Sequence, residues 1–584
     1  MSRHDEGSPA GWRALRARPP RLARAFRWVR DGAAIVMAIA AVTLCFLVLY
    51  PLFWLFYGSF SYGEQGLGAA LVQFWQLPGL ERAFFNTLYL VAGTVPLSFL
   101  IALPLVLITT RTDTPLKGLI EVAALLPFIT PPLIGAVAWA LLAAPRTGLV
   151  NVFARQLGAT SPIVNIYTMG GLIFVMSLYL SPYVFVTVKA VMQHMDATLE
   201  DASCVAGASL VQTTRNILIP LSMPAILSAG ILVLTRAIEE FAIPGVLGAP
   251  SGIYTITTYI YYQAISYVPP RYEVAALLAS LLMATIALCL IVQSRVLGGR
   301  QRYTTVAGKG HPPHMPRLGR WRYVTMAYAL AYIALTVVLP YLVLIYAAFI
   351  NAWGQPPTFS NLTLANVLAT FDPVLPVRAG LLNSLLLAFF GATLATVLTV
   401  IIGYMISKGD LWLRSSLDFV SSIPLAMPGP VLAIALLWAY LHPPFVLYGT
   451  LWILLVAYVT HFLPYGVRTT TGSFRQISVE LERSASMCGA SRLAVFRDIL
   501  LPLIRPGMLA GWMLMFISMI RELSSSIFLF VPGTETAAVT LLEMWQEARF
   551  PNVAVLSLTL ITISVLVVTL VRYLSGGAYL AARY

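Results

Sequence analysis

Charged side chains are scarce in this 584-residue sequence: Asp, Glu, Lys and Arg make up 10% of it, hydrophobic residues 59%, and the mean hydropathy is +0.82. A soluble domain carries about 25% charged residues, so most of this chain is excluded from water. Cysteine is scarce too. Cys45, Cys204, Cys289 and Cys488 form no Cys-x-x-Cys pair, and none falls in an expected external loop. That excludes a disulfide framework and a cysteine metal site. Only four lysines occur, Lys117, Lys189, Lys309 and Lys408, and none precedes Ser or Thr. A P-loop needs that pair after a Gly-rich turn to hold phosphates and Mg²⁺, so ATP chemistry requires another subunit. His, Asp and Cys show no catalytic spacing, which puts a membrane enzyme last among the function classes. His311 and His314 read as polar residues of a basic linker, and no metal site is expected.

What is abundant is long apolar runs. A bilayer-spanning helix needs about 20 mainly apolar residues, and twelve runs qualify. Six lie near 33–57, 86–110, 119–143, 170–192, 224–247 and 274–296, and six near 325–350, 383–407, 417–441, 449–472, 507–531 and 552–577. The runs are continuously apolar, without the alternation of barrel strands. The expected fold is an all-α integral membrane protein with twelve transmembrane helices. It divides into a basic tail (1–32), a first half (33–296), a basic linker (297–323) and a second half (324–584). The net charge of +14 does not indicate nucleic acid, because its distribution follows the membrane: 29 of the 37 Lys and Arg fall on the side of both termini. This positive-inside bias makes both termini cytoplasmic. The basic N-terminal region is long and precedes a run long enough to span, so it reads as a tail rather than a cleavable signal. The linker is expected to lie against anionic lipid headgroups.

The two halves repeat each other. Asn86-Thr87-Leu88 matches Asn383-Ser384-Leu385, and Pro127 and Pro131 match Pro424 and Pro428, all at an offset of 297. A polar loop after the fourth span then recurs at an offset of 282. Leu199-Glu200-Asp201-Ala202-Ser203 with Gly207 and Pro220 matches Leu481-Glu482-Arg483-Ser484-Ala485 with Gly489 and Pro502. The first half must therefore hold about fifteen extra residues, placed in 144–169. Gly207 and Gly489 tolerate positive φ, so each can end a short helix and turn the chain. Pro220 and Pro502 suit the first turn of the next helix. Six spans per half make the repeat parallel, an arrangement that places a substrate path between halves.

This loop resembles the EAA loop of permease subunits in bacterial binding-protein-dependent ABC importers. Two copies in one chain resemble the fused, ferric-iron-type permeases, whose relatives serve thiamine and aminoethylphosphonate. The resemblance implies a type I importer fold, with five core helices per half and a first helix that wraps the other half. It implies that Glu200, Asp201, Ala202 and Gly207, and Glu482, Arg483, Ala485 and Gly489, form coupling helices docked on two copies of a cytoplasmic ATPase that carries ATP–Mg. It also implies a periplasmic solute-binding protein, and iron(III) as the cargo. The sequence departs from the pattern where Asp201 and Arg483 replace the name-giving Glu.

Charges inside spans are costly and face a cavity or a partner. Arg236, Glu239 and Glu240 in the fifth span, with Arg521 and Glu522 in the eleventh, are the pathway or gate candidates. Glu240 and Glu522 each lie sixteen residues after a proline, Pro224 and Pro506, or about 24 Å along a helix, toward the external end. Arg236 is expected to pair with Glu240 at i,i+4, and Arg521 to find a partner elsewhere. A structural ion pair between helices is the competing role. Glu543 and Glu547 read as a solvated face. A secondary transporter with two six-helix halves is the alternative function. Against it stands the position of the repeated motif, between spans four and five, while the basic turn Arg111–Lys117 reads as unrepeated.

Overall fold

In a computed structural model the regular secondary structure is helical apart from one isolated bridge between Ile350 and Leu362, among the described residues. These are residues 32–574 except 61–75, 194, 197, 299–317, 352, 355–360, 374, 410 and 442. The basic tail, most of the linker, His311 and His314 lie outside them. The first half contains α1 (Gly32–Phe60), α2 (Leu80–Arg111), α3 (Lys117–Ile129), α4 (Pro132–Ala143), α5 (Met169–Gln193), α6 (Thr198–Val205), α7 (Val211–Glu239), α8 (Ile256–Tyr261) and α9 (Tyr272–Gly298). The second contains α10 (Trp321–Phe349), α11 (Val377–Lys408), α12 (Leu413–Ala426), α13 (Gly429–Tyr440), α14 (Leu451–Arg475), α15 (Val479–Met487), α16 (Leu493–Ile520), α17 (Ala537–Gln546) and α18 (Phe550–Leu574).

Ten of the expected spans are continuous helices long and apolar enough to cross a bilayer. The third and ninth are not. Each is bent, by 102° between α3 and α4 and by 106° between α12 and α13. The cause is the repeated prolines: Pro131 and Pro428 occupy the breaks, where a ring without an N–H cannot continue the ladder. Beyond each break the helix is apolar all round and almost wholly buried, as such a helix must be. The fifth and eleventh spans also start earlier than expected, at Val211 and Leu493, and end at Glu239 and Ile520. Pro220 and Pro502 therefore lie inside longer helices. Each follows a π-helical turn, Thr214–Leu218 or Phe496–Leu500, a local widening that accommodates the missing donor.

The first helix of each half packs on the other half. Leu44 and Val48 of α1 are buried against Ile402 and Ile406 of α11 and Leu463 and Val467 of α14, and the Tyr50 hydroxyl donates to the Ala439 carbonyl at 3.2 Å. Reciprocally, Thr325, Tyr328 and Tyr341 of α10 bond to Thr114, the Leu100 carbonyl and Thr130 of the first half. The other face of α1 exposes Ile39, Val42 and Phe53, a surface suited to lipid. The insertion inferred from the changing offset is also present: 144–168 separates α4 from α5, against only 441–450 in the second half. It contains the helix Leu149–Gln156, held by Asn151, whose amide donates to the Ala144 and Val164 carbonyls and accepts from Ile163 and Val164 N–H.

The repeated Asn-Thr/Ser pair has a structural task. Asn86 donates to the Tyr254 carbonyl and Thr87 accepts the Ile256 N–H, tying α2 to the start of α8. Asn383 and Ser384 hold Glu535 and Ala537 at the start of α17 in the same way. Long helices elsewhere approach through small residues, as they must where lipid supplies no hydrophobic drive. A Cβ added at Gly466 of α14 would meet the Thr399 hydroxyl of α11 at 2.7 Å and its methyl at 2.9 Å. The variant Gly466→Ala should therefore lower stability by about 1–3 kcal/mol, the usual penalty of overpacking. Thermal unfolding in detergent should show the loss, and Thr399→Ala on the same chain should recover most of it.

Candidate functional site

Two regions concentrate the polar residues. The first is the pair of repeated loops. Helix α6 ends at a left-handed Gly207 (φ 81°) and α15 at Gly489 (φ 84°). Each is closed by the paired bonds of a Schellman turn, Ala208 N–H to Ser203 O with Gly207 N–H to Cys204 O, and Ala490 N–H to Ala485 O with Gly489 N–H to Ser486 O. A Cβ would meet nothing at either glycine, so the requirement is conformational rather than steric. No side chain of α6 or α15 is buried. Asp201, Ala202 and Arg483 are exposed, whereas Ala485 is half-buried beside the Phe474–Val495 cluster.

Glu200 and Glu482 turn inward. Glu200 pairs with Arg111 at 2.8 Å, and Arg111 also donates to the Met192 carbonyl. Glu482 pairs with Lys408 at 2.9 Å, and Lys408 also donates to the Ile477 carbonyl. Burial holds the Glu200 carboxyl above its usual range despite the opposing pull of Arg111. Arg111 and Lys408 are the last residues of α2 and α11, and they are equivalent at the offset of 297. The basic turn that reads as unrepeated therefore does recur, as a single Arg-for-Lys match whose signal is too small to stand out in sequence.

The second region is a cavity of about 270 Å³ between the halves. Its lining comes in pairs offset by 282: Tyr179 with His461, Tyr183 with Tyr465, Leu232 with Leu514, and Glu240 with Glu522. All five charges singled out from the sequence line it, together with Phe128 and Pro132 at the first helix break and Gly429 at the second. Tyr183 lies ten residues from the loop end of α5 and fourteen from its other end, or about 15 Å and 21 Å along the axis. The charges thus line the middle of the bundle rather than its outer end.

Three of the five charges serve broken backbone. The Glu240 carboxylate accepts the Ala242 N–H at 2.9 Å, capping the chain where α7 stops. Glu522 accepts the Ser525 N–H at 2.9 Å and its hydroxyl at 3.1 Å after α16. Arg521 crosses between halves and donates to the Phe128 carbonyl at 2.5 Å, at the C-terminal end of α3, where orphan carbonyls favour a cation. The expected Arg236–Glu240 pair is not formed. Because α7 ends at Glu239, residue 240 leaves the helical face, and Arg236 pairs at i,i+3 with Glu239 instead. Arg236 also donates to the Tyr465 hydroxyl of the other half. Its guanidinium lies 5.8 Å from the Tyr183 ring centre and 5.9 Å from that of Tyr465. At the far end, Glu547 is exposed and pairs with Arg549. Glu543 is half-buried rather than solvated, and desolvation with neighbouring Glu535 and Glu547 raises its carboxyl.

The family model for the binding-protein-dependent transport system inner membrane component matches residues 21–303 and 395–577, one stretch in each half. The chain belongs to that family. It is a multi-pass inner-membrane permease, a transport subunit built as two fused halves. It is 25% identical to the ferric transport system permease protein FbpB of Actinobacillus pleuropneumoniae, over 88% of this chain and 74% of the relative. It is 24% identical to the Fe(3+)-transport system permease protein FbpB 2 of Haemophilus influenzae, over 78% and 82% respectively. The probable ABC transporter permease protein y4fN of Sinorhizobium fredii is 24% identical over 96% of this chain and 98% of its own.

In this permease the Arg111–Glu200 tether is nearly closed to solvent, with side chains 3% and 12% exposed. Removing one member of a buried pair costs about 3–5 kcal/mol. The variant Arg111→Met should therefore lower the unfolding temperature markedly, and adding Glu200→Gln should restore a large part of it. Equal stability of the single and double variants would show that the pair carries no weight.

Proposed function

We propose that this permease is the membrane subunit of an ATP-driven importer, with α6 and α15 as its coupling helices. Two copies of a cytoplasmic ATPase dock on these helices and carry ATP–Mg, and the chain itself holds no cofactor. A periplasmic binding protein delivers the solute to the opposite face, and both termini are cytoplasmic. The observation that supports this reading best is the duplicated loop surface. Leu199, Val205 and Val211 are exposed around the first Gly turn, and Leu481, Met487 and Leu493 are exposed at the same offset around the second. Val205 and Met487 are 90% and 88% exposed, which is unusual for large apolar side chains on a charged face and suits a pair of equivalent partner grooves.

The inward pairs supply a mechanical link. Glu200 and Glu482 fix each loop to the end of a long helix, α2 or α11, so a push on the loop is carried into the bundle. Asp201 and Arg483 face outward with opposite charges, so the two docking contacts differ electrostatically while their apolar parts match. The cavity between the halves is the transit space, and rocking of one half against the other alternates its access. The ferric names of the relatives favour iron(III) as cargo, and the oxygen-rich lining of Glu239, Tyr183 and Tyr465 suits a hard cation.

Copurification tests the reading. Gly207→Val and Gly489→Val place a β-branched residue at positive φ, at a cost of about 1–3 kcal/mol each. Both variants should reach the membrane, lose ATPase binding and lose uptake. Full uptake with the ATPase retained by both would refute the coupling assignment. Cysteines placed at Ser203 and Ser486 in a cysteine-free chain should resist an impermeant label applied outside intact cells. Labelling of either would reverse the orientation.

A further inference from the structure

Arg236 and Glu239 stand apart from the other charges of the cavity. Glu240, Glu522 and Arg521 each satisfy backbone groups at a helix break. Arg236 and Glu239 bond to each other, and Arg236 to a tyrosine hydroxyl, with no broken backbone among these partners. Nor does the fold require an arginine there. The repeat places Ser518 at the position of Arg236, lining the same cavity from the second half, and that half breaks its helix in the same way without it.

The surroundings of the guanidinium are chosen for a cation. A carboxylate, a hydroxyl oxygen and two aromatic faces converge on it, and the rings belong to Tyr183 and Tyr465, which the repeat relates. The same space holds His461, whose Nδ1 is buried without a hydrogen-bond partner. An anion site would present free donors, and here both arginines of the cavity are engaged, Arg236 by Glu239 and Arg521 by the Phe128 carbonyl. Among the described residues, no three His, Cys, Asp or Glu side chains are grouped to hold a metal ion. A cation in this space would therefore bind through mixed oxygen and aromatic contacts, weakly enough to leave.

We propose that Arg236 is a tethered counter-cation, filling a cation-transit site formed by Glu239, Tyr465, Tyr183 and His461 until a cationic cargo displaces its side chain. This rests on reading the cavity as the permease's substrate path, and it gives the cargo a sign. Arg236 bridges the halves through Tyr465, so separation of the halves breaks that contact and leaves the guanidinium held by Glu239 alone among these partners. The cargo must then displace the guanidinium from Glu239 itself, and the guanidinium returns after the cargo has left. At rest the bound guanidinium neutralises the Glu239 carboxylate, so that carboxylate is not offered to small cations.

The test uses the purified full-length chain, with no ATPase, and Tb³⁺ as a hard trivalent probe excited through tyrosine. Wild type should give only the background of its surface carboxylates. Arg236→Ser, which copies the second half, should add a saturable component. Adding Glu239→Gln should abolish that component, and Arg236→Lys, which keeps a tethered cation, should lack it. Unfolding temperature identifies a variant that fails to fold, and Arg236→Gln serves in place of an unstable serine variant. A folded neutral variant that binds Tb³⁺ no better than wild type would overturn the proposal, as would a gained component that survives Glu239→Gln. Binding of inorganic phosphate by wild type that Arg236→Ser abolishes would also overturn it, by making Arg236 an anion receptor. Failure of ATPase copurification would instead remove the importer reading and leave the Tb³⁺ result standing.

Discussion

Within hydrocarbon every backbone donor and acceptor must be satisfied by the protein itself, and this constraint organises the molecule. Long helices satisfy it alone. Where they break, the exposed groups must be gathered into a shared interior. The bends before Pro132 and Gly429, and the ends of α7 and α16, all open onto one cavity between the halves. The charges found there are in large part the cost of those breaks. Glu240 and Glu522 replace lost acceptors for backbone N–H groups, and Arg521 covers a carbonyl of the other half. A cavity in mid-bundle and the polar groups lining it thus have one origin.

Duplication makes this arrangement two-fold, and divergence makes it directional. The loops, the inward ion pairs, the helix breaks and one tyrosine of the cavity, Tyr183 as Tyr465, recur in both halves. The charges do not recur in full. Glu239 corresponds to Arg521, Arg236 to Ser518, Tyr179 to His461, and on the loops Asp201 to Arg483. The shared positions are those that the fold needs, such as the positive-φ glycines and the anchors Asn86 and Asn383. The divergent ones are free to set the electrical character of the cavity and of each loop surface. Arg521 and Arg236 both stand at divergent positions and differ in their partners, a backbone carbonyl for Arg521 and a carboxylate and a hydroxyl for Arg236.

Much of the fold was legible because the bilayer imposes a coarse code. Apolar length locates the ten continuous spans, and the repeat and the place of the insertion follow from runs and offsets. The loop turns were equally legible, since a glycine seven residues after a glutamate in both halves marks a helix end that needs positive φ. The breaks at Pro131 and Pro428 were visible as residues but not as bends, because proline is tolerated in a membrane helix when neighbours re-satisfy the backbone. The expected Arg236–Glu240 pair failed for the same reason. The i,i+4 rule holds only while the helix continues, and α7 stops one residue too soon.

By itself the sequence determined the class, the two-half plan, the duplicated glycine-turn loops and the short list of intramembrane charges. Those depend on composition and spacing along the chain. Only the tertiary structure decided what the charges face. Arg236 meets Tyr465 across 229 positions and Arg521 meets Phe128 across 393. Glu200 and Glu482 proved to face inward because the ends of α2 and α11 lie beneath them. Contacts between halves depend on how helices pack in three dimensions, and no local pattern encodes the partner that packing brings near.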